Sequence, residues 1–158
     1  MGEQTASFAA GCFWGVEARF REVAGVLDAV SGYMGGHADS PNYKQVCTGD
    51  TGHAETVQVI FDDEQVSYAE LLELFFSMHN PTTLNRQGAD FGSQYRSVAF
   101  WHDPQQREQA EQKIRDLDAS GKWTDPVVTQ VVPAGRFWRA EEYHQRYFEK
   151  NGGGHCHI

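Results

Sequence analysis

One stretch near the start, from Thr5 to Val23, constrains this chain most. A short apolar run, Thr5 to Ala10, enters Gly11-Cys12-Phe13-Trp14-Gly15, after which Val16, Phe20 and Val23 recur at helical spacing. Such a pattern reads as a strand, a tight turn and a helix, with a cysteine on the turn. A strand that feeds directly into an amphipathic helix buries both apolar surfaces only when the helix packs back on the sheet.

The rest of the chain repeats that alternation. Strands are expected over 26–33, 55–61, 96–101 and 127–132; in the second of these Val57, Val59 and Phe61 alternate with Gln58 and Ile60. Helices are expected over 68–79, capped by Ser67 and stopped before Pro81, over 104–117, ended by Gly121, and over 140–150. A long polar loop separates the strands at 26–33 and 55–61. The β-α-β-β-α-β-α-β-α order predicts an α+β fold with a mixed β-sheet packed with helices, formed by one domain over 1–158. Residues 151–158 read as a mobile C-terminal tail, because Gly152, Gly153 and Gly154 make ordered packing costly in entropy.

Charge narrows the partners. With 22 acidic against 13 basic side chains and a net charge of −9, attraction to nucleic acid or to an anionic membrane is disfavoured. No long apolar run and no basic apolar leader is found, which predicts a cytoplasmic protein. Three cysteines, Cys12, Cys47 and Cys156, are an odd number at uneven spacing and do not suit a disulfide framework. Thiol chemistry is the better reading.

At a strand-to-helix turn, Cys12 meets the unpaired N–H groups and positive end of the helix, which lowers a thiol pKa. An ordinary thiol of pKa about 8.5 is only about 3% ionised at pH 7. Without its neighbours Cys12 would read as a buried, inert cysteine. Phe13 and Trp14, however, could wall an apolar pocket that suits a methyl group next to sulfur, although core packing explains the same rings. In Gly52-His53-Ala54-Glu55 a carboxyl opens an apolar strand, where partial burial would raise its pKa and keep it protonated as an acid. Tyr43 in the polar loop, and Asp90 and Tyr95 in the stretch 87–97, add phenol and carboxyl groups in loop settings. Cys47 reads by default as a buried structural thiol.

Taken together, Gly11-Cys12-Phe13-Trp14-Gly15, Gly52-His53-Ala54-Glu55 and the stretch 87–97 resemble the peptide methionine sulfoxide reductase A family across nearly the whole chain. The resemblance implies a two-layer α/β roll with a ferredoxin-like core, no cofactor and no metal, and reduction of methionine S-sulfoxide, free or in proteins. By it Cys12 is the nucleophile and Glu55 the acid, Tyr43 and Tyr95 bind the sulfoxide oxygen, Phe13 and Trp14 hold the methyl group, and Asp90 lies near the substrate. It also implies recycling by thioredoxin or another dithiol.

A sulfoxide oxygen leaves only when protonated, so thiolate attack needs a proton donor in the same step. The sulfenic acid left on Cys12 condenses with a second thiol. Cys156 on the glycine-rich tail is the expected resolver and Cys47 the alternative. Three other readings compete: a cysteine hydrolase using His53 or His144 as base, a metal-binding tail built from His155-Cys156-His157, and a protein that only binds oxidised methionine, which would need the aromatic pocket but not Cys12.

Overall fold

The structure, a computed structural model, describes residues 2–151. Six strands form one sheet: β1 (Glu3–Ala10), β2 (Val26–Met34), β3 (Ala54–Asp62), β6 (Ser97–Trp101), β7 (Gln130–Pro133) and β8 (Trp138–Arg139), in the order β7-β6-β1-β3-β2-β8. All pairs are antiparallel except β6 with β7, so the sheet is mixed and open at two edges. In the central four, β6-β1-β3-β2, helix α1 (Phe13–Arg21) links β1 to β2 and α3 (Tyr68–Ser77) links β3 to β6. This is the ferredoxin-like arrangement of an α+β sandwich.

Helices α1, α3 and α4 (Pro104–Ser120) cover one face. The larger core lies there: Phe8 stacks with Phe20, Tyr68 and Phe75 at centroid separations of 5.2, 5.8 and 4.9 Å. Removing a ring so enclosed costs about 3–5 kcal/mol. On the reverse face a smaller cluster of Ala9, Met34, Ala54, Val98 and Phe100 is covered by the crossover from β7 to β8, through Val132, Ala134 and Phe137. The close approach there explains Gly32: a Cβ would stand 2.3 Å from Phe137 Cζ.

Most predicted boundaries hold to within three residues. Ser67 and Glu70 form a capping box, Asp103 caps α4, and Gly121 ends it at φ 74°. Four features differ from expectation. Asn42 and Gln45 build a capping box inside the polar loop and start a short helix, α2 (Tyr43–Cys47). A hairpin of β4 (Arg86–Gln87) and β5 (Asp90–Phe91) stands in the stretch before β6. The strand expected from 127 begins only at Gln130, while the Val128 N–H is turned to the Pro81 carbonyl. Finally, the helix expected over 140–150 is broken into a 3₁₀ turn, Glu142–His144, and α5 (Tyr147–Asn151). The break has a cause: buried Gln145 bonds the Ser31 backbone, and the Arg146 N–H turns to the Glu17 carboxylate at 2.9 Å, holding Arg146 at φ 53°.

No helix among the described residues is long and apolar enough to cross a membrane.

Candidate active site

Gly11 at φ 94° turns the chain at the end of β1, and Cys12 takes the N-cap position of α1, half-buried. Its sulfur therefore belongs to the helix end that carries unpaired N–H groups and positive potential. The first of those donors, the Phe13 N–H, is taken by Glu55 Oε1 at 3.2 Å. Glu55 is 1% exposed, carried on β3 opposite Tyr33 of β2. Sheet pairing thus delivers a carboxyl from one element to the thiol-bearing helix of another.

A cavity of about 400 Å³ opens over the thiol, lined by Cys12, Trp14, Tyr43, Asp90 and Tyr95, with the hairpin turn Gly88-Ala89 as one wall. Burial, with Glu55 and Cys47 nearby, holds the Tyr43 and Tyr95 phenols above their ordinary value, so both are neutral hydrogen-bond donors at physiological pH. Tyr95 lies within electrostatic reach of Glu55, Cys47, Asp90 and Cys12.

Of the residues anticipated from sequence, Cys12, Trp14, Tyr43, Asp90 and Tyr95 meet at this cavity. Glu55 lies beneath it. Phe13 does not line it: the ring is 1% exposed and packs against Tyr33, Tyr43 and His144. Cys47 is exposed, not a buried structural thiol, because α2 presents its last residue to solvent. Its thiol contacts the Tyr43 hydroxyl, and burial with Glu55 and Glu141 pushes it above its ordinary value despite that contact. Cys156, and with it His155 and His157, lies outside the described residues.

His53 is not available as a hydrolase base. Its Nδ1 accepts the Gly36 N–H at 3.0 Å and its Nε2 bonds the Ala38 carbonyl at 2.7 Å, so the ring holds a loop together.

The residues that fix the site were not legible as such. The turn at 141–144 supplies two of them. Glu141 accepts the Tyr33 hydroxyl at 2.8 Å and the Tyr43 N–H at 2.9 Å, anchoring the start of α2. Burial opposes its charge, yet these donors hold the carboxyl below its ordinary range. His144, fully buried, accepts the Trp14 indole N–H on Nδ1 at 2.9 Å, and burial depresses its pKa, keeping the ring neutral. Tyr147 stacks on Trp14 at 3.8 Å and 8°. The sequence signal was a cluster of carboxyl, phenol and imidazole, Glu141 to His144, just ahead of the glycine tail.

Comparison with known proteins agrees with this geometry. The family model described as "Peptide methionine sulfoxide reductase" matches residues 4–158. The peptide methionine sulfoxide reductase MsrA of Methanoculleus marisnigri is 56% identical over 153 residues, 97% of this chain and 93% of that protein. That of Geobacter sulfurreducens is 52% identical over 160 residues, 99% of each. Among solved structures, reduced Mxr1 of Saccharomyces cerevisiae superposes at TM-score 0.90 with 36% identity, covering 99% of this chain and 90% of that one. Mxr1 in complex with Trx2 superposes at 0.64 with 25% identity, covering 92% and 85%. With the match running almost end to end and the thiol, carboxyl and phenols gathered over one helix terminus, the chain belongs to the peptide methionine sulfoxide reductase family, oxidoreductases that reduce methionine sulfoxide in peptides.

Proposed function

We propose that residues 1–158 act as one catalytic domain reducing methionine S-sulfoxide, free or in proteins, with Cys12 as nucleophile. The observation that carries this reading is the cavity in which Cys12 faces Trp14, two neutral phenols and Asp90, with buried Glu55 beneath. The Cys12 thiolate attacks the sulfoxide sulfur while Glu55, in its acid form, gives a proton to the oxygen. Tyr43 and Tyr95 donate hydrogen bonds to that oxygen as charge gathers on it. Trp14, stacked on Tyr147 through one face and held at its N–H edge by His144, packs on the methyl group. Phe13 supports the pocket from behind Tyr43, and Asp90 orients the substrate from the hairpin.

Methionine leaves, and its oxygen stays on Cys12 as a sulfenic acid. Condensation with the Cys156 thiol of the tail, 151–158, releases water and forms a disulfide, which a thioredoxin dithiol reduces; no bound cofactor is needed. The complex of Mxr1 with Trx2 supports a protein reductant. Absence of a long apolar helix from the described residues is consistent with a cytoplasmic setting.

The test is methionine released per enzyme from methionine S-sulfoxide without reductant, with free thiols counted. About one equivalent with loss of two thiols is expected, and none from Cys12→Ser. Wild-type release by Cys12→Ser removes Cys12 from the mechanism.

A further inference from the structure

We propose that a second cavity, on the reverse face of the sheet, binds a small oxyanion, a carboxylate or phosphate, through Arg96. This cavity, of about 540 Å³, lies beneath the crossover from β7 to β8 and beside the turn after β2. It shares no lining residue with the cavity over Cys12.

Arg96 immediately follows Tyr95 but takes the opposite side. It has the parity of Val98 and Phe100, which build the reverse-face cluster. Its Nε donates to Gln130 Oε1 at 3.2 Å and its Nη1 to the Ser93 carbonyl at 2.9 Å. Both acceptors are neutral. Among the described residues no carboxylate pairs with this half-buried guanidinium, although the chain carries 22 of them. Desolvation accordingly depresses its pKa with no charge partner to offset it. A cation withdrawn from water without a counter-ion is unfavourable, and a bound anion is the ordinary remedy.

Space has been kept for that anion. Gly35, at φ 93°, stands beside the free end of the guanidinium: a Cβ there would come within 3.1 Å of Arg96 Nη2 and 2.9 Å of the Phe100 ring. On the rim, exposed Arg136 stands over the Trp138 ring, its guanidinium carbon 3.9 Å from the ring centre. The Nη2 end of Arg96 and the Arg136 guanidinium supply donors for the oxygens of a carboxylate or phosphate. Asp39 is the one carboxylate on the lining, and it pairs with neither arginine.

The test is a ¹⁵N NMR titration of the reduced full chain with sodium phosphate and with sodium acetate, against sodium chloride at equal ionic strength. Saturable shifts of the Arg96 Nε–H and Trp138 indole N–H with phosphate or acetate are expected, and the better binder identifies the anion class. Affinity should fall about tenfold in Arg96→Lys, which keeps the charge but loses the fork, and a few-fold in Arg136→Gln at the exposed rim. Chloride shifts equal to those of both oxyanions, or wild-type affinity in Arg136→Gln together with a folded Arg96→Lys, would overturn the assignment.

Discussion

Glu141→Ala isolates the contribution of a residue that does not line the cavity over Cys12. The carboxylate accepts two hydrogen bonds, one from the Tyr33 hydroxyl and one from the Tyr43 N–H. Tyr33 is wholly buried, so truncation leaves its hydroxyl facing a gap; losing a hydrogen bond to a charged group costs about 1.5–3 kcal/mol. Loss of the acceptor at the first turn of α2 adds about 1 kcal/mol, comparable to a missing cap. The total, about 2.5–4 kcal/mol, is a fall in Tm of roughly 5–16 °C for a chain of this size. Urea unfolding at pH 7 measures it. A cycle with Tyr33→Phe separates the contact from general damage, and a coupling of about 1–2 kcal/mol is expected. Because the folded carboxyl is held below 4.5, its contribution is present above that pH and is lost as pH falls through the folded value, so the cost of the substitution should shrink in acid. A change below about 0.5 kcal/mol, or no coupling to Tyr33, would refute the reasoning.

Three other outcomes follow from the site. Folded His144 titrates below 6.5, so its share of stability is complete above that pH and fades as pH drops through the folded value; His144→Gln should flatten the decline in Tm as pH falls below 6.5, and an unchanged slope would exclude it. Glu55→Gln should lower kcat/KM by about 10²–10⁴ with the fold retained, measured by methionine release alongside a melt; near-wild-type rates would remove Glu55 as the proton donor. Cys156→Ser should release one equivalent of methionine and then stall with thioredoxin, whereas sustained cycling in that variant would move the resolving role to exposed Cys47 or to the reductant itself.

How much of this was legible in the sequence depended on distance along the chain. Periodicity and capping are local, so the strand-turn-helix around Cys12, the Ser67 cap and the Gly121 stop could be read directly. The line of the last helix could not. Its break at Arg146 is set by Glu17, 129 residues earlier, and helical propensity loses to a buried carboxylate that needs donors. Similarly, α2 hid in a polar loop because its five residues are too few to show a period, although the Asn42 and Gln45 pair was a readable cap. Trp14 was visible as an aromatic beside a thiol, but its partners His144 and Tyr147 come from the far end of the chain. Arg96 stood at the start of an expected strand, but only its parity with Val98 and Phe100 turns it away from Tyr95.

The bond from Arg146 to Glu17 has a kinetic meaning as well. Glu17 sits one turn along α1 from Cys12, so this bond moors the chain next to the helix that Cys12 caps, five residues before α5 ends at Asn151. From Asn151 to Cys156 the tether is again five residues, a span of at most about 17 Å when fully extended. If Cys156 resolves Cys12 as proposed, a short flexible tether of this kind sets an effective thiol concentration on the order of millimolar, whatever the amount of enzyme in solution. Removing the acceptor by Glu17→Ala would therefore act, on the proposed mechanism, as dilution: the first methionine would leave at its usual rate, and only the proposed closing of a Cys12–Cys156 disulfide would slow.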